Sequence, residues 1–216
     1  MQIGVIGARA GNIGEAICEF FDQSKIRITG EIGIHFDESD LRDYDCLVFA
    51  QGYTDQAWIG EQGNFHIAKE FESNVIAPMM LINEMVRHSS KPRTIIFIGS
   101  MAHKAVLNGS SSYCASKAAL MHYVRCAAYE LAPKGWRIFC INPGNVLDTP
   151  MTRKVKEGIK QLHGLNEAEA EKYWGKCNQL GRFITKYEIA QYVEFLLSPQ
   201  ADHLIGSEIN LTGGNR

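Results

Sequence analysis

The stretch Ser100-Met-Ala-His-Lys-Ala-Val-Leu-Asn-Gly-Ser-Ser-Ser-Tyr113-Cys-Ala-Ser-Lys117 decides how the rest of this chain is read. The apolar run Arg93-Thr-Ile-Ile-Phe-Ile-Gly99 leads into it as a strand, and residues 118–131 lead out of it as a helix. With Tyr113 opening that helix, Lys117 lies one turn further along the same face. Ser100 then stands at the C-terminal end of a strand, where open α/β sheets place their sites. A phenol with a pKa near 10 exchanges protons poorly at neutral pH. An ammonium roughly 4 Å away, at an effective dielectric of about 20, favours the phenolate by roughly 4 kcal/mol. The pairing is expected to bring Tyr113 toward neutral pH, where a general acid or base works best. Ser100 is placed to hydrogen-bond an oxygen that gains charge. The same spacing suits an ordinary solvated Tyr and Lys, so the remainder of the chain has to decide.

Upstream, residues 2–7 form a short apolar strand, followed by Gly7-Ala-Arg9-Ala-Gly11-Asn12-Ile13-Gly14 and a helix with Ile13, Ile17, Phe20 and Phe21 on one face. Strand, glycine turn and helix together bring backbone N–H groups to a pyrophosphate. Residues 24–45 are short. They leave room for one crossover between a second strand and the strand Cys46-Leu-Val-Phe-Ala50-Gln51-Gly52, so the sheet is expected to be a strand and a helix short on this side. Glu31 and Asp37 are candidates for a ribose-binding acid there. Residues 65–88 read as one long helix containing Asn74, kinked at Pro78.

Downstream, residues 136–142 form a strand ended by Pro143-Gly144, with Val146 and Thr149 following. Residues 151–180 are helical but broken at Gly158, Gly164 and Gly175, and are expected to form a substrate lid. The lid opens with Arg153, Lys154, Lys156 and Lys160, either a solvated face or an attractor of an anionic substrate. Tyr173 and Trp174 either line a pocket or pin the lid. Residues 185–197 are an amphipathic helix, and residues 208–212 a last strand. Strands alternating with helices predict an α/β, doubly wound Rossmann-like parallel sheet of six strands flanked by helices, its adenosine-side edge shortened.

Composition sets the bounds. The 216 residues are 45% hydrophobic and 21% charged, enough for one domain with a sizeable core spanning 1–216. Twenty-two basic against 24 acidic residues give a net charge of -2 and favour neither nucleic acid nor a membrane surface as partner. There is no apolar run long enough to span a bilayer, and residues 1–7 lack the basic start of a signal peptide. The six cysteines show no Cys-x-x-Cys pair, which fits reduced thiols and a cytoplasmic location. The seven histidines have no metal-ligand spacing, so no metal is expected.

Taken in order, these pieces resemble the short-chain dehydrogenase/reductase family over nearly the whole chain. The glycine turn resembles the family's glycine motif, with one residue more than usual. Phe49-Ala-Gln-Gly52 stands where the family has Asn-Asn-Ala-Gly. Asn74, Ser100, Tyr113 and Lys117 match its catalytic set, and Asn142-Pro-Gly144 with Thr149 matches its nicotinamide-side loop. The resemblance implies an oxidoreductase using NAD or NADP to interconvert a carbonyl and an alcohol. Tyr113 would act as general acid/base, Lys117 would bond the nicotinamide ribose, Ser100 would orient the carbonyl, and Asn74 would hold a water. Gly7, Arg9, Gly11, Asn12, Ile13, Gly14, Ala50, Gln51, Gly52, Pro143, Gly144, Val146 and Thr149 would join Tyr113 and Lys117 around the cofactor. Arg9 is placed to meet a 2′-phosphate, which favours NADP. A homodimer or homotetramer built on the helices at 65–88 and 112–131 is implied, with a small-molecule substrate. The shortened adenosine side keeps a second reading open: a catalytically silent nucleotide sensor or scaffold of the same fold.

Overall fold

The computed structural model describes residues 1–21, 26–29, 44–89, 91–175 and 178–214, with backbone alone at 26–29 and 174–175. Glu31, Asp37 and the Trp174 side chain, singled out by sequence, lie outside these. Six strands are described: β1 (Ile3–Ile6), β2 (Ile26–Thr29), β3 (Cys46–Phe49), β4 (Thr94–Ile98), β5 (Arg137–Pro143) and β6 (Glu208–Leu211). They form one sheet in the order β2-β1-β3-β4-β5-β6, and every pairing is parallel. β2 is the edge beyond β1 among the described residues; the crossover expected to be short, at 30–43, lies outside them.

Alternation along the strands builds two cores. Leu47, Phe49, Ile95, Phe97, Ile138 and Cys140 face α3 (Ala77–His88) and α4 (Ser111–Leu131). Cys46, Val48, Ile96, Ile98, Phe139 and Ile141 face α1 (Ile13–Phe20) and α7 (Lys186–Leu197). The central strands are therefore apolar on both faces, as parallel strands under two helical layers must be. Phe49, which replaces an asparagine of the resembled motif, stacks on Phe97 at 4.9 Å between ring centroids and is buried. An aromatic pair stands in for a polar tie.

The long helix expected at 65–88 is not one α-helix. α2 (Asn64–Phe71) passes through a π-helical turn (Glu72–Ile76) into α3. The irregularity lies one turn ahead of Pro78, because Pro78 has no N–H to give the Asn74 carbonyl four residues back. The segment after β5 holds α5 (Pro150–His163) and α6 (Glu167–Gly175). Gly164 ends α5 in the left-handed conformation (φ 64°), as expected. Gly158 does not break it. It sits inside α5 because a Cβ there would lie 2.0 Å from Gln56 Oε1: the bare backbone lets the loop after β3 close on the helix. No helix among the described residues is long and apolar enough to cross a membrane. The five described cysteines carry no disulfide.

Candidate active site

The order β2-β1-β3 reverses direction at β1, and the crevice beyond the C-terminal ends of β1 and β3 is the topological switch point. A cleft of about 310 Å³ opens there. Of the residues singled out by sequence, Ile13, Ala50, Gln51, Gly52, Ser100, Tyr113, Lys117, Pro143, Gly144, Val146, Thr149 and Tyr173 line it. Gly7, Arg9, Gly11, Asn12 and Gly14 flank Ile13 in the turn after β1, and Asn74 stands behind the wall. The turn needs glycine at position 7. Its φ is 80°, and a Cβ would lie 2.7 Å from the Gln51 backbone.

Ser100 follows β4 in extended backbone, and its hydroxyl accepts the Ala102 N–H at 3.1 Å. Tyr113 lies in the first turn of α4, and Lys117 one turn later puts its Nζ 5.8 Å from the Tyr113 ring centroid. Lys117 is 4% exposed, and its Nζ donates to the Ile98 carbonyl at 3.4 Å. The side chains converge as the spacing implied, but the electrostatics differ. Burial pushes the Tyr113 phenol up to about 12, and a hydrogen bond with Ser100 only partly offsets this. Burial also pulls Lys117 down to about 8. The expected shift of Tyr113 toward neutral pH is therefore corrected: desolvation dominates, and the hydrogen bond with Ser100 is what opposes it.

Asn74 is 1% exposed and fully engaged. Its Oδ1 accepts the Tyr53 N–H at 2.9 Å, and its Nδ2 donates to the Tyr53 carbonyl at 2.9 Å and to Ser116 Oγ at 3.0 Å. A Cβ on Gly52 would lie 3.4 Å from Asn74 Oδ1 and 3.6 Å from Lys117 Nζ, so Gly52 keeps the floor beside the amine open. Thr149 caps α5, accepting the Thr152 N–H at 3.0 Å.

Thr54, Gln56 and His163 also line the cleft, together with Val155 and Ile159 from α5. No motif marks Gln56; only the mid-helix Gly158 hints at what it accommodates. The buried Glu70 was also missed. It accepts the Asp55 N–H at 2.8 Å and the Ser112 hydroxyl, tying α2 to the start of α4 beside Tyr113.

A doubly wound parallel sheet with a Ser, Tyr and Lys at its switch-point cleft defines the dehydrogenase class of α/β proteins. The chain belongs to the short-chain dehydrogenase/reductase family: a family described as enoyl-(acyl carrier protein) reductase matches residues 35–216. The short-chain dehydrogenase/reductase FrzI of Cladobotryum sp is 29% identical over 197 residues, 89% of this chain and 68% of that protein. The 3-oxoacyl-[acyl-carrier-protein] reductase FabG of Rickettsia felis is 29% identical over 172 residues, 79% of this chain and 66% of that protein. The chain thus spans about two thirds of these relatives' length. Among solved structures, L-sorbose reductase from Gluconobacter frateurii, complexed with NADPH and L-sorbose, superposes with a TM-score of 0.83 at 22% identity, covering 99% of this chain and 96% of that one.

Proposed function

We propose that the chain is an NAD(P)-dependent oxidoreductase interconverting a carbonyl and an alcohol. The convergence of Ser100, Tyr113 and Lys117 in a cleft that reaches the glycine turn carries this reading. The residues present fit a dinucleotide: glycine at 7 lets the turn pass close to the Gln51 backbone, Gly52 brings no side chain beside the amine, and Pro143, Gly144, Val146 and Thr149 form the far wall of the crevice. When bound, the nicotinamide would supply or accept the hydride.

In carbonyl reduction Ser100 orients the substrate oxygen and Tyr113 gives it a proton. A phenol held at about 12 is fully protonated at neutral pH, so the donor is always loaded. Lys117 steadies the product of that transfer, because its charge favours the phenolate left behind more than the phenol before it. Its pKa of about 8 leaves it mainly an ammonium at pH 7. The Asn74 side chain holds the loop after β3. Beside Lys117, Asn74 would hold the water of a proton relay, as the family resemblance implies.

Residues 151–180 act as a lid within one domain. Lys154 Nζ donates to the Thr54 carbonyl at 2.6 Å, and Trp58 packs edge-on against His163 at 5.8 Å. The substrate end of the cleft is lined mainly by Met101, Val106, Leu107, Val155 and Ile159, with the polar Gln56, Asn108 and His163 between them, and Lys117 is the only Lys, Arg, Asp or Glu among the described lining residues. This favours an uncharged, largely apolar carbonyl compound over a sugar or sugar acid. Exposed apolar side chains on the outer faces of α2, α3 and α4 support a homo-oligomer built on those helices.

The test is a panel of apolar ketones, polyols and sugar acids with NADH or NADPH, followed at the nicotinamide absorbance. Apolar ketones are expected to turn over. Tyr113→Phe is expected to lower kcat at least about 100-fold while still binding nucleotide. Undiminished turnover in that variant rejects Tyr113 as the proton donor. Nucleotide binding without turnover of any carbonyl favours the sensor reading.

A further inference from the structure

We propose that Arg153, in the first turn of the lid helix α5, is the cation that holds the nucleotide's diphosphate, so that the nucleotide draws the lid shut. The inference rests on the dinucleotide reading of the cleft.

The glycine turn spends several of its own donors. Asn12 Oδ1 accepts the N–H groups of Arg9 at 3.1 Å and Glu15 at 3.0 Å, and the Gly11 N–H donates to Glu15 Oε2 at 2.6 Å. A helix N-terminus ordinarily offers such N–H groups to an anion. Here part of that supply is used internally, and a carboxylate already stands in the turn. Arg9, in the turn itself, is already engaged, and Lys186 faces the Glu15 carboxylate at 3.9 Å, so a diphosphate bearing about two negative charges calls for a further cation.

Arg153 is where that charge stands. Gly11 turns with φ 80°, and a Cβ on it would lie 3.6 Å from the Pro150 ring and 3.9 Å from Arg153 Nη2. The guanidinium therefore hangs beside the turn from the lid side. The other cations that open the lid are committed: Lys154 to Asp55 at 3.5 Å, Lys156 to Glu171, and Lys160 to Glu157 at 3.1 Å and Glu167 at 2.8 Å. The Arg153 side chain is exposed and makes no ion pair or hydrogen bond among the described residues. A planar guanidinium suits two phosphate oxygens at once, which a lysine at this position would not match. Of the two roles open to the basic start of the lid, a solvated face and anion capture, the ion pairs assign the first to Lys156 and Lys160. Position leaves the second to Arg153.

The experiment is calorimetric titration of the full chain and of Arg153→Ala and Arg153→Lys with NADH, NADPH, ADP-ribose and AMP, the last lacking a diphosphate. Arg153→Ala is expected to weaken the three diphosphate ligands about tenfold or more and to leave AMP within about twofold, and Arg153→Lys to recover part of the loss. Amide hydrogen exchange across residues 151–163 is expected to slow with ADP-ribose in the wild type and not in Arg153→Ala. Equal affinities in wild type and Arg153→Ala overturn the assignment while the nucleotide reading stands. An equal loss for AMP overturns the diphosphate role. A wild type that binds no dinucleotide overturns both the inference and the function on which it rests. Unchanged thermal unfolding of the variants, expected for an exposed side chain, shows that they fold.

Discussion

At Lys117 burial and charge oppose each other. The amine sits in the wall of the cleft, held down to about 8, whereas an unfolded chain would hold it near 10.5. Between those pH values the unfolded chain binds a proton that the native protein does not, so native stability rises with pH across that window; below about 8 the full penalty is present. Lys117→Met is therefore expected to stabilise the protein at pH 7 by roughly 2–3 kcal/mol. The gain should shrink from pH 8 to 10.5 and vanish above. Denaturant midpoints of both proteins across that range check it, and a gain independent of pH would show that the buried charge is not its origin. The same residue shows where sequence reading stops. The i,i+4 spacing places Tyr113 and Lys117 on one face, and they are together. Depth is invisible in spacing, and depth sets the sign: the phenol moves up, not down.

Among the elements, α5 holds the clearest mismatch between local preference and tertiary need. A glycine inside a helix costs about 0.5–1 kcal/mol relative to alanine, which is why Gly158 reads as a break. Its reason lies about a hundred positions earlier, in Gln56. Gly158→Ala in a Gln56→Ala background is expected to stabilise the protein by about 0.5–1 kcal/mol. In the wild-type background the gain should be smaller or reversed, because the new methyl displaces the Gln56 amide. A double-mutant cycle by thermal unfolding reads the coupling, and strict additivity would mean that the two do not meet. The π turn before Pro78 has a similar history. The proline is legible as a disturbance, but its effect falls one turn upstream because what it lacks is a donor to that turn. The glycine turn after β1, the strand ends and the helix carrying Tyr113 were legible because each is set by local chain geometry. Gln56 and Glu70 were not, because their roles depend on partners brought in by the fold.

For the whole molecule, alternating strands and helices sufficed to foresee the parallel doubly wound sheet, since both faces of each central strand read apolar. Assembly is a matter of what stays uncovered. Phe65 and Met80 on one helical run and Tyr129 on α4 remain 69%, 42% and 85% exposed. Light scattering is expected to report a dimer or tetramer, and Met80→Lys combined with Tyr129→Glu to shift it toward monomer. A wild type that is monomeric at micromolar concentration would remove the helices from that role. The Glu15 carboxylate on the Gly11 N–H bears on the working cycle as a whole. With the nucleotide seated as proposed, an incoming phosphate would evict a resident anion, and a departing one would let that resident return. Such an exchange loosens grip on the nucleotide but hastens discharge of the spent form. Where that discharge limits the pace, Glu15→Gln would retain its nucleotide longer and cycle more slowly.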